Sequence, residues 1–288
     1  MPSHRVAVAF LRVLPKHALS RGAGWLAARR LPGPLRVRAV RAFGQAVGVD
    51  FAEVADPLET FESLQAFFTR RLRAGVRPID PAPDAFVSPC DGVWGAAGRI
   101  ENGLLLQVKG RTYDLAGLLG EVDAARRFEG GAFATLYLSP RDYHRFHTPS
   151  AARVRRVTYR PGTLWPVNRI GVEGVAGLFA ANERLCAFMS VAGEAEYLCL
   201  VAVGATMVGK IRLTFDDLST NRRGAAPETR TYGDGVAFAK GEEWGRFEFG
   251  STIVLVAAPG LVTLDVQPPG TSVRLGQRIG TLLAAKDS

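Results

Sequence analysis

The stretch Phe249-Gly250-Ser251-Thr252-Ile253-Val254-Leu255 opens on a Gly-Ser step and runs on in β-branched and apolar residues, the composition of a buried strand. Runs of similar texture surround it: Gly103 to Val108, Ala132 to Leu138, Val154 to Tyr159, Leu185 to Met189, Tyr197 to Val203, Met207 to Phe215, Val236 to Ala239, Phe247 to Val256 and Val262 to Val266. The sequence holds 32 glycines and 17 prolines, enough for many tight turns, and Val273 to Gly280 reads as a glycine-bounded hairpin. From about Phe86 onward the chain is expected to be β-rich.

Upstream the period changes. Helices are expected before Pro32-Gly33-Pro34 and from about Leu35 to Val47, with those three residues breaking the pattern. A third is expected from Leu58 to Leu72, where Phe61, Leu64, Phe67, Phe68 and Leu72 fall at helical intervals. The fold class is therefore α+β: a helical N-terminal part over residues 1–57, then a β-rich body with glycine-bounded hairpins over residues 58–288.

Charge divides the chain in nearly the same way. Of the net +9, all lies in residues 1–49, which carry Arg5, Arg12, Lys16, Arg21, Arg29, Arg30, Arg36, Arg38 and Arg41 and no acid. The apolar positions of this block are interrupted by charge before they reach the ~18–20 residues of a membrane span. Its run from Val6 to Leu14 contains Arg12 and leads into Pro15-Lys16, which fits a secretory signal poorly. Basic and apolar residues mixed at helical spacing suit a helix lying on an anionic membrane surface. An organelle transit peptide or a nucleic-acid arm has the same acid-free, Arg-rich character, although few serines weaken the transit reading. The three cysteines, Cys90, Cys186 and Cys199, show no paired spacing, so neither a disulfide framework nor a structural zinc site is suggested.

Chemistry near neutral pH usually recruits histidine, and beyond the basic block only His144 and His147 exist. On a helix their spacing of three would put both rings on one face; at a strand end they would be two hydrogen-bonded histidines and no more. A metal centre would need carboxylates or a lone cysteine to complete the pair. Ser88-Pro89-Cys90-Asp91-Gly92 sets an aspartate in a turn after an extended segment, and Gly250-Ser251 opens a strand; each is ordinary by itself. Together, in the chain order Asp91, His147, Ser251, they supply an acid, a base and a hydroxyl, the set from which an activated serine nucleophile is built. Its target is either an external ester or amide, making a serine hydrolase without the G-x-S-x-G elbow, or the carbonyl of Gly250 itself. Glycine at 250 favours close approach of the Ser251 hydroxyl to that carbonyl.

These residues sit within a longer series of motifs. Phe67 to Arg73, Arg77-Pro78-Ile79, Ser88 to Gly92, Tyr137 to His147, Pro161-Gly162, Val167-Asn168, Phe179 to Arg184, Val203 to Gly209, and Lys240 to Phe247 leading into Phe249-Gly250-Ser251-Thr252 resemble, in this order, the pyruvoyl-dependent phosphatidylserine decarboxylases of bacterial and mitochondrial membranes. The resemblance covers roughly residues 58–260; Phe249 stands where the family usually has leucine, and the N-terminal block matches only in character.

The resemblance implies that Asp91 and His147 activate Ser251, with Asp91 holding the His147 tautomer. Cleavage between Gly250 and Ser251 would leave a β chain of residues 1–250 and an α chain of residues 251–288, the latter led by a pyruvoyl group made from Ser251. That group would form a Schiff base with phosphatidylserine, and no metal or external cofactor is implied. His144 would reprotonate the carbon after carbon dioxide leaves, giving phosphatidylethanolamine. The partners implied are the lipid, the anionic surface and the two chains of the cut protein, with further dimerisation left open and no nucleic acid. The implied location is peripheral, on the cytoplasmic face of the cell membrane. Lys109, Arg141, Asp142, Asn168, Asn182 and Glu183 are candidates for binding phosphate or for salt bridges. A third reading makes the C-terminal hairpins a carrier or lipid-binding module with Lys210 as its attachment site.

Overall fold

The computed structural model describes residues 15–283 apart from 109, 192, 194, 196, 207–209, 223, 249 and 250, and the backbone alone at 108 and 251. Helices at Lys16–Ala27 and Gly33–Val47 precede a β-rich body, as the sequence implies. The strands are β1 (Ala85–Val87), β2 (Gly92–Arg99), β3 (Leu104–Val108), β4 (Arg111–Asp114), β5 (Ala132–Leu138), β6 (Arg145–His147), β7 (Ala152–Arg160) and β8 (Arg184–Ser190). They continue as β9 (Leu198–Val203), β10 (Ile211–Leu213), β11 (Glu228–Phe238), β12 (Glu243–Phe247), β13 (Ser251–Ala257), β14 (Val262–Leu264), β15 (Ser272–Val273) and β16 (Arg278–Leu282).

Eight strands form one antiparallel sheet in the order β11-β7-β8-β9-β13-β5-β2-β15. Both of its faces are buried, which is why its inner strands read as unbroken apolar runs rather than as alternation. Ile253, Leu255, Leu200 and Leu185 point to one side, where Phe146, Trp244 and Phe247 of the β10-β12-β6 sheet and Phe86 and Ile279 of the β1-β16-β14 sheet cover them. Val254, Val256, Val201 and Phe188 point to the other, under the β3-β4 hairpin and the short helices at Leu115–Leu119, Val122–Arg127 and Leu178–Ala181. A smaller cluster of Val40, Val49, Val54, Phe61 and Phe67 joins the second N-terminal helix to the body.

Three expectations are corrected. The helix expected from Leu58 to Leu72 is a 3-10 turn at Leu58–Thr60 and a short helix at Leu64–Phe68 capped by Ser63. Phe61 and Phe67 meet edge to face, 5.3 Å apart, without a continuous helix, and Leu72 bridges to Val54 as extended chain. The run from Phe247 to Val256 is two strands in different sheets, β12 and β13. The turn expected between Val273 and Gly280 exists, with Gly276 at φ +83°, yet its arms do not pair with each other. Val273 pairs with Gly92 and β16 with β1 and β14, so the turn carries the chain from one layer to another.

The approach of β2 to β5 requires a glycine. A Cβ at Gly92 would lie 2.3 Å from the Tyr137 carbonyl oxygen, whereas one at Gly98, at nearly the same φ, would meet nothing closer than a ring carbon of Phe133 at 3.8 Å. Gly92→Ala is expected to destabilise by about 1–3 kcal/mol more than Gly98→Ala, since forced overpacking costs that much. Equal urea midpoints for the two variants would refute the clash.

Candidate active site

Strand register brings the singled-out residues to one corner. Ser251 is opposite Leu138 across the β13-β5 ladder, and Val93 is opposite Tyr137 across β5-β2. Adjacent strands lie about 4.8 Å apart, so the backbones of Gly92 and Ser251 flank the end of β5 at about 10 Å from one another. Asp91 occupies the bend just before β2, as the sequence suggests. In the covering layer the Phe247 amide donates to the His144 carbonyl at 2.9 Å, so the strand leading into residue 248 lies against His144. His147 ends β6 opposite Glu243; the pair of histidines is on and beside a strand, not on a helix.

Asp91 is 4% exposed and fully engaged. Arg77 donates to it from Nε at 2.9 and 3.0 Å and from Nη2 at 2.7 Å, and the Leu275 amide donates at 2.8 Å. The other edge of Arg77 grips Glu53 at 2.9 and 2.7 Å. Among the described residues His147 does not donate to Asp91, the bond by which Asp91 would hold its tautomer. His147 Nδ1 lies 2.9 Å from the Gly241 carbonyl, which must accept, so Nδ1 carries the proton. Its Nε2 is then the acceptor, 3.3 Å from the Tyr143 hydroxyl. A backbone carbonyl thus sets the tautomer that Asp91 was expected to set. The charge of Asp91 favours the protonated form of this ring, as a minor influence.

His144 is buried and obeys the same logic. Its Nδ1 lies 2.8 Å from the Asp142 carbonyl, and its Nε2 has no hydrogen-bond partner among the described residues. Phe68 packs on the ring with centroids 4.0 Å apart. Burial, helped by the Arg70 charge and opposed by the Asp142 bond, lowers its pKa to about 3. Burial also lowers that of His147, against the Gly241 bond and the charge of Glu243. Both rings are neutral at pH 7 and both present an unprotonated Nε2, which makes them proton acceptors in the uncut chain.

A cleft of ≈ 320 Å³ opens beside this corner, lined among others by Glu53, Arg70, Arg77, Asp91, Arg141, Asp142 and Tyr143. Arg141 and Asp142 are therefore near the site. Asn168 caps a short helix, Asn182 bonds the Trp165 backbone and the Gly204 carbonyl, and Glu183 bonds Tyr159 and the Asn221 amide, so these three serve the fold. Lys109 and Gly250 lie outside the described residues, as does the side chain of Ser251. Sequence reasoning missed Arg77, Tyr143 and the Gly241 carbonyl as partners; the first two stood inside the motifs quoted above, while a carbonyl leaves no mark in sequence.

The depressed pKa of His144 has a consequence for stability. Between pH 6.5 and about 3 the unfolded chain holds a proton on this residue that the folded chain does not. Stability is therefore full above pH 6.5 and falls as the pH is lowered through that window. His144→Gln should lose less stability than the parent between about pH 7.5 and about pH 5, read as the shift in urea midpoint. An equal loss in both would overturn the assignment.

Comparison with known proteins extends the motif match. The family model described as phosphatidylserine decarboxylase matches residues 64–281, and a second, described as PSD, matches residues 6–43. A phosphatidylserine decarboxylase proenzyme of Anaeromyxobacter sp. (strain K) is 45% identical over 279 residues, covering 96% of this chain and 98% of that protein. One of Myxococcus xanthus is 41% identical over 274 residues, with 94% and 96% covered. One of Shewanella baltica (strain OS155 / ATCC BAA-1091) is 39% identical over 293 residues, with 99% of each covered. The N-terminal block, which by eye shares only its character with the family, falls within these matches. At this identity and extent the chain belongs to the phosphatidylserine decarboxylase family and is a decarboxylase.

Proposed function

We propose that the chain is a proenzyme that cuts itself between Gly250 and Ser251 and then decarboxylates phosphatidylserine. The observation that supports this most is the register that opens β13 at Ser251, beside Leu138 and two strands from Asp91, with the preceding strand bonded to His144. The buried Nε2 of His144, without a hydrogen-bond partner among the described residues, is the kind of orphaned atom that a covalent group at 251 and its substrate would use.

For the cut, His147 Nε2 takes the hydroxyl proton of Ser251 as Tyr143 gives way, while the charge of Asp91 favours the imidazolium that results. The oxygen bonds to the Gly250 carbonyl carbon, the C–N bond breaks and the proton passes to the freed amine, leaving an ester. A base then removes the Ser251 Cα proton, and the electron pair forms the Cα=Cβ bond as the Cβ–O bond breaks and releases the Gly250 carboxylate. Water adds to the dehydroalanine that remains, and ammonia leaves.

The pyruvoyl group so formed supplies a carbonyl to condense with the serine amine and an electron sink for the bond that breaks. His144 Nε2, neutral and without a hydrogen-bond partner among the described residues, takes a proton from the incoming ammonium and returns it to the carbon from which carbon dioxide departs. Attachment to the bilayer falls to residues 1–57. On the described part, Leu19, Trp25, Leu26 and Leu35 are exposed among arginines, a surface suited to anionic lipid. Among the described residues no helix is long and apolar enough to cross a membrane.

Ser251→Ala should give one uncut, inactive chain, and His144→Ala a cut chain with at least ~100-fold less carbon dioxide release, as loss of general acid–base catalysis implies. Denaturing gels and intact mass read the cut. A single parent chain that is labelled at Ser251 by a fluorophosphonate would favour a membrane-associated serine hydrolase instead. Deleting residues 1–30, which spares the Val40 cluster, should move the protein from anionic vesicles to the supernatant with self-cleavage intact. Retention on the vesicles would refute the anchoring role.

A further inference from the structure

Among the described residues Arg70 is the arginine of the cleft without a direct ion pair. It follows the helix at Leu64–Phe68 and is 4% exposed. Its Nη2 donates to the carbonyls of Arg141 at 2.6 Å and Asp142 at 3.1 Å. Among the described residues its Nε and Nη1 have no hydrogen-bond partner. One donor on Nε and two on Nη1 thus stand empty, out of the five a guanidinium carries.

The other arginines lining the cleft face carboxylates. Arg77 holds Glu53 and Asp91, Arg274 lies 3.4 Å from Glu53, and Arg141 lies 3.7 Å from Asp142. The acids are likewise served: Asp142 also accepts the Ser139 amide at 2.7 Å, and Asp50 the Ala52 amide at 2.9 Å. The cleft as a whole is balanced in charge, yet among the described residues Arg70 hydrogen-bonds to neutral carbonyls alone, with the Phe67 ring 5.4 Å from its guanidinium carbon and the charges of Asp91, Asp142 and Glu53 acting without a direct bond. A buried cation with open donors is costly unless an anion completes it. Burial lowers its pKa to about 10, which leaves it charged at neutral pH.

Arg70 also stands beside the proton-transfer residue. The Asp142 carbonyl that accepts from Arg70 accepts from His144 Nδ1 as well, at 2.8 Å. Two donors on one oxygen lie within about 6 Å of each other. An anion held by Arg70 is therefore within the length of a lipid head group from the His144 ring.

We propose that Arg70 binds the phosphodiester of the lipid substrate and so sets the distance from head group to His144. This rests on the decarboxylase reading above. Phosphatidylserine offers two oxyanions, a carboxylate and a phosphodiester. An arginine on the carboxylate would stabilise the charge that must leave and would oppose the reaction, because only interactions stronger in the transition state accelerate it. The phosphodiester keeps its charge from substrate to product, so a fixed cation serves it throughout. Arg141, whose side chain is 56% exposed, lines the same cleft.

The test uses the full-length self-cleaved enzyme in mixed micelles, comparing the parent with Arg70→Met and Arg70→Lys. Self-cleaved fraction, kcat, KM for phosphatidylserine and Ki for phosphatidylethanolamine are measured. Arg70→Met should cleave normally and raise KM by about 10- to 100-fold, the worth of hydrogen bonds to a charged group. Ki should rise by the same factor, kcat should change little, and the lysine variant should recover part of both losses. A KM that rises while Ki stays fixed would assign Arg70 to the carboxylate and overturn the proposal, as would an unchanged KM in either variant. If the methionine variant does not fold, parallel shifts of KM and Ki in the lysine variant decide the matter in the same way. A parent enzyme that releases no carbon dioxide from phosphatidylserine would sink the decarboxylase reading itself, whereas an active parent with unaltered variants sinks this inference alone.

Discussion

The register of β13 is the constraint on which the rest depends. Its backbone is bonded on both sides, to β5 from Ser251↔Leu138 to Ala257↔Ala132 and to β9 from Thr252↔Val203 to Ala257↔Leu198. Because side chains alternate, a slip of one residue would exchange Ile253 and Leu255 with Val254 and Val256 between two cores that differ in shape. Burial of both faces therefore fixes where the strand starts. A reaction that a chain performs on its own backbone needs such fixing more than it needs affinity, since effective concentration comes entirely from the fold.

Around that start the electrostatics are set by dryness and by shared partners. Arg77 ties Glu53 to Asp91, and the Leu275 amide closes on the same carboxylate, so three distant parts of the sequence meet in one fork. A buried pair of this kind is not by itself stabilising, since the desolvation of both ions offsets much of the attraction. What it provides is position: the carboxylate is held facing the cleft instead of the imidazole. The two histidines, left without a carboxylate, are kept neutral by burial, and backbone carbonyls choose which nitrogen of each is free.

Much of this body was legible in sequence, for a physical reason. Strands buried on both faces write themselves as apolar runs, so β5, β8, β9 and β13 were evident. β2 was not, because its Gly-Val-Trp-Gly-Ala-Ala-Gly-Arg sequence has low strand propensity, although Gly92 and Gly95 are what let β5 approach. Asp91, His144 and His147 were visible as chemistry-bearing residues; the register that brings Asp91, His144 and Ser251 to one corner was not. Their bonding partners were hidden, since carbonyls and tertiary ion pairs have no local signal. The basic N-terminal block reads as a helix on an anionic surface, and Lys16 departs from that pattern: it is buried, with its ammonium 4.0 Å from the Trp165 ring centroid, so part of that block is committed to the body.

The segment after Ser251 supplies β13 and β15 to the large sheet and β14 and β16 to a small one, with β13 bonded on both edges. In the processed form proposed above, the shorter fragment is thus woven into two layers of the longer one. No rigid-body path separates them; release requires the large sheet to open along its middle. Denaturation then becomes a one-way event, because reassembly is second order in concentration and needs a vacant slot between β5 and β9 to stay open until a partner arrives. The working life of such a protein is governed by an unfolding rate rather than by an equilibrium, and each molecule folds only once.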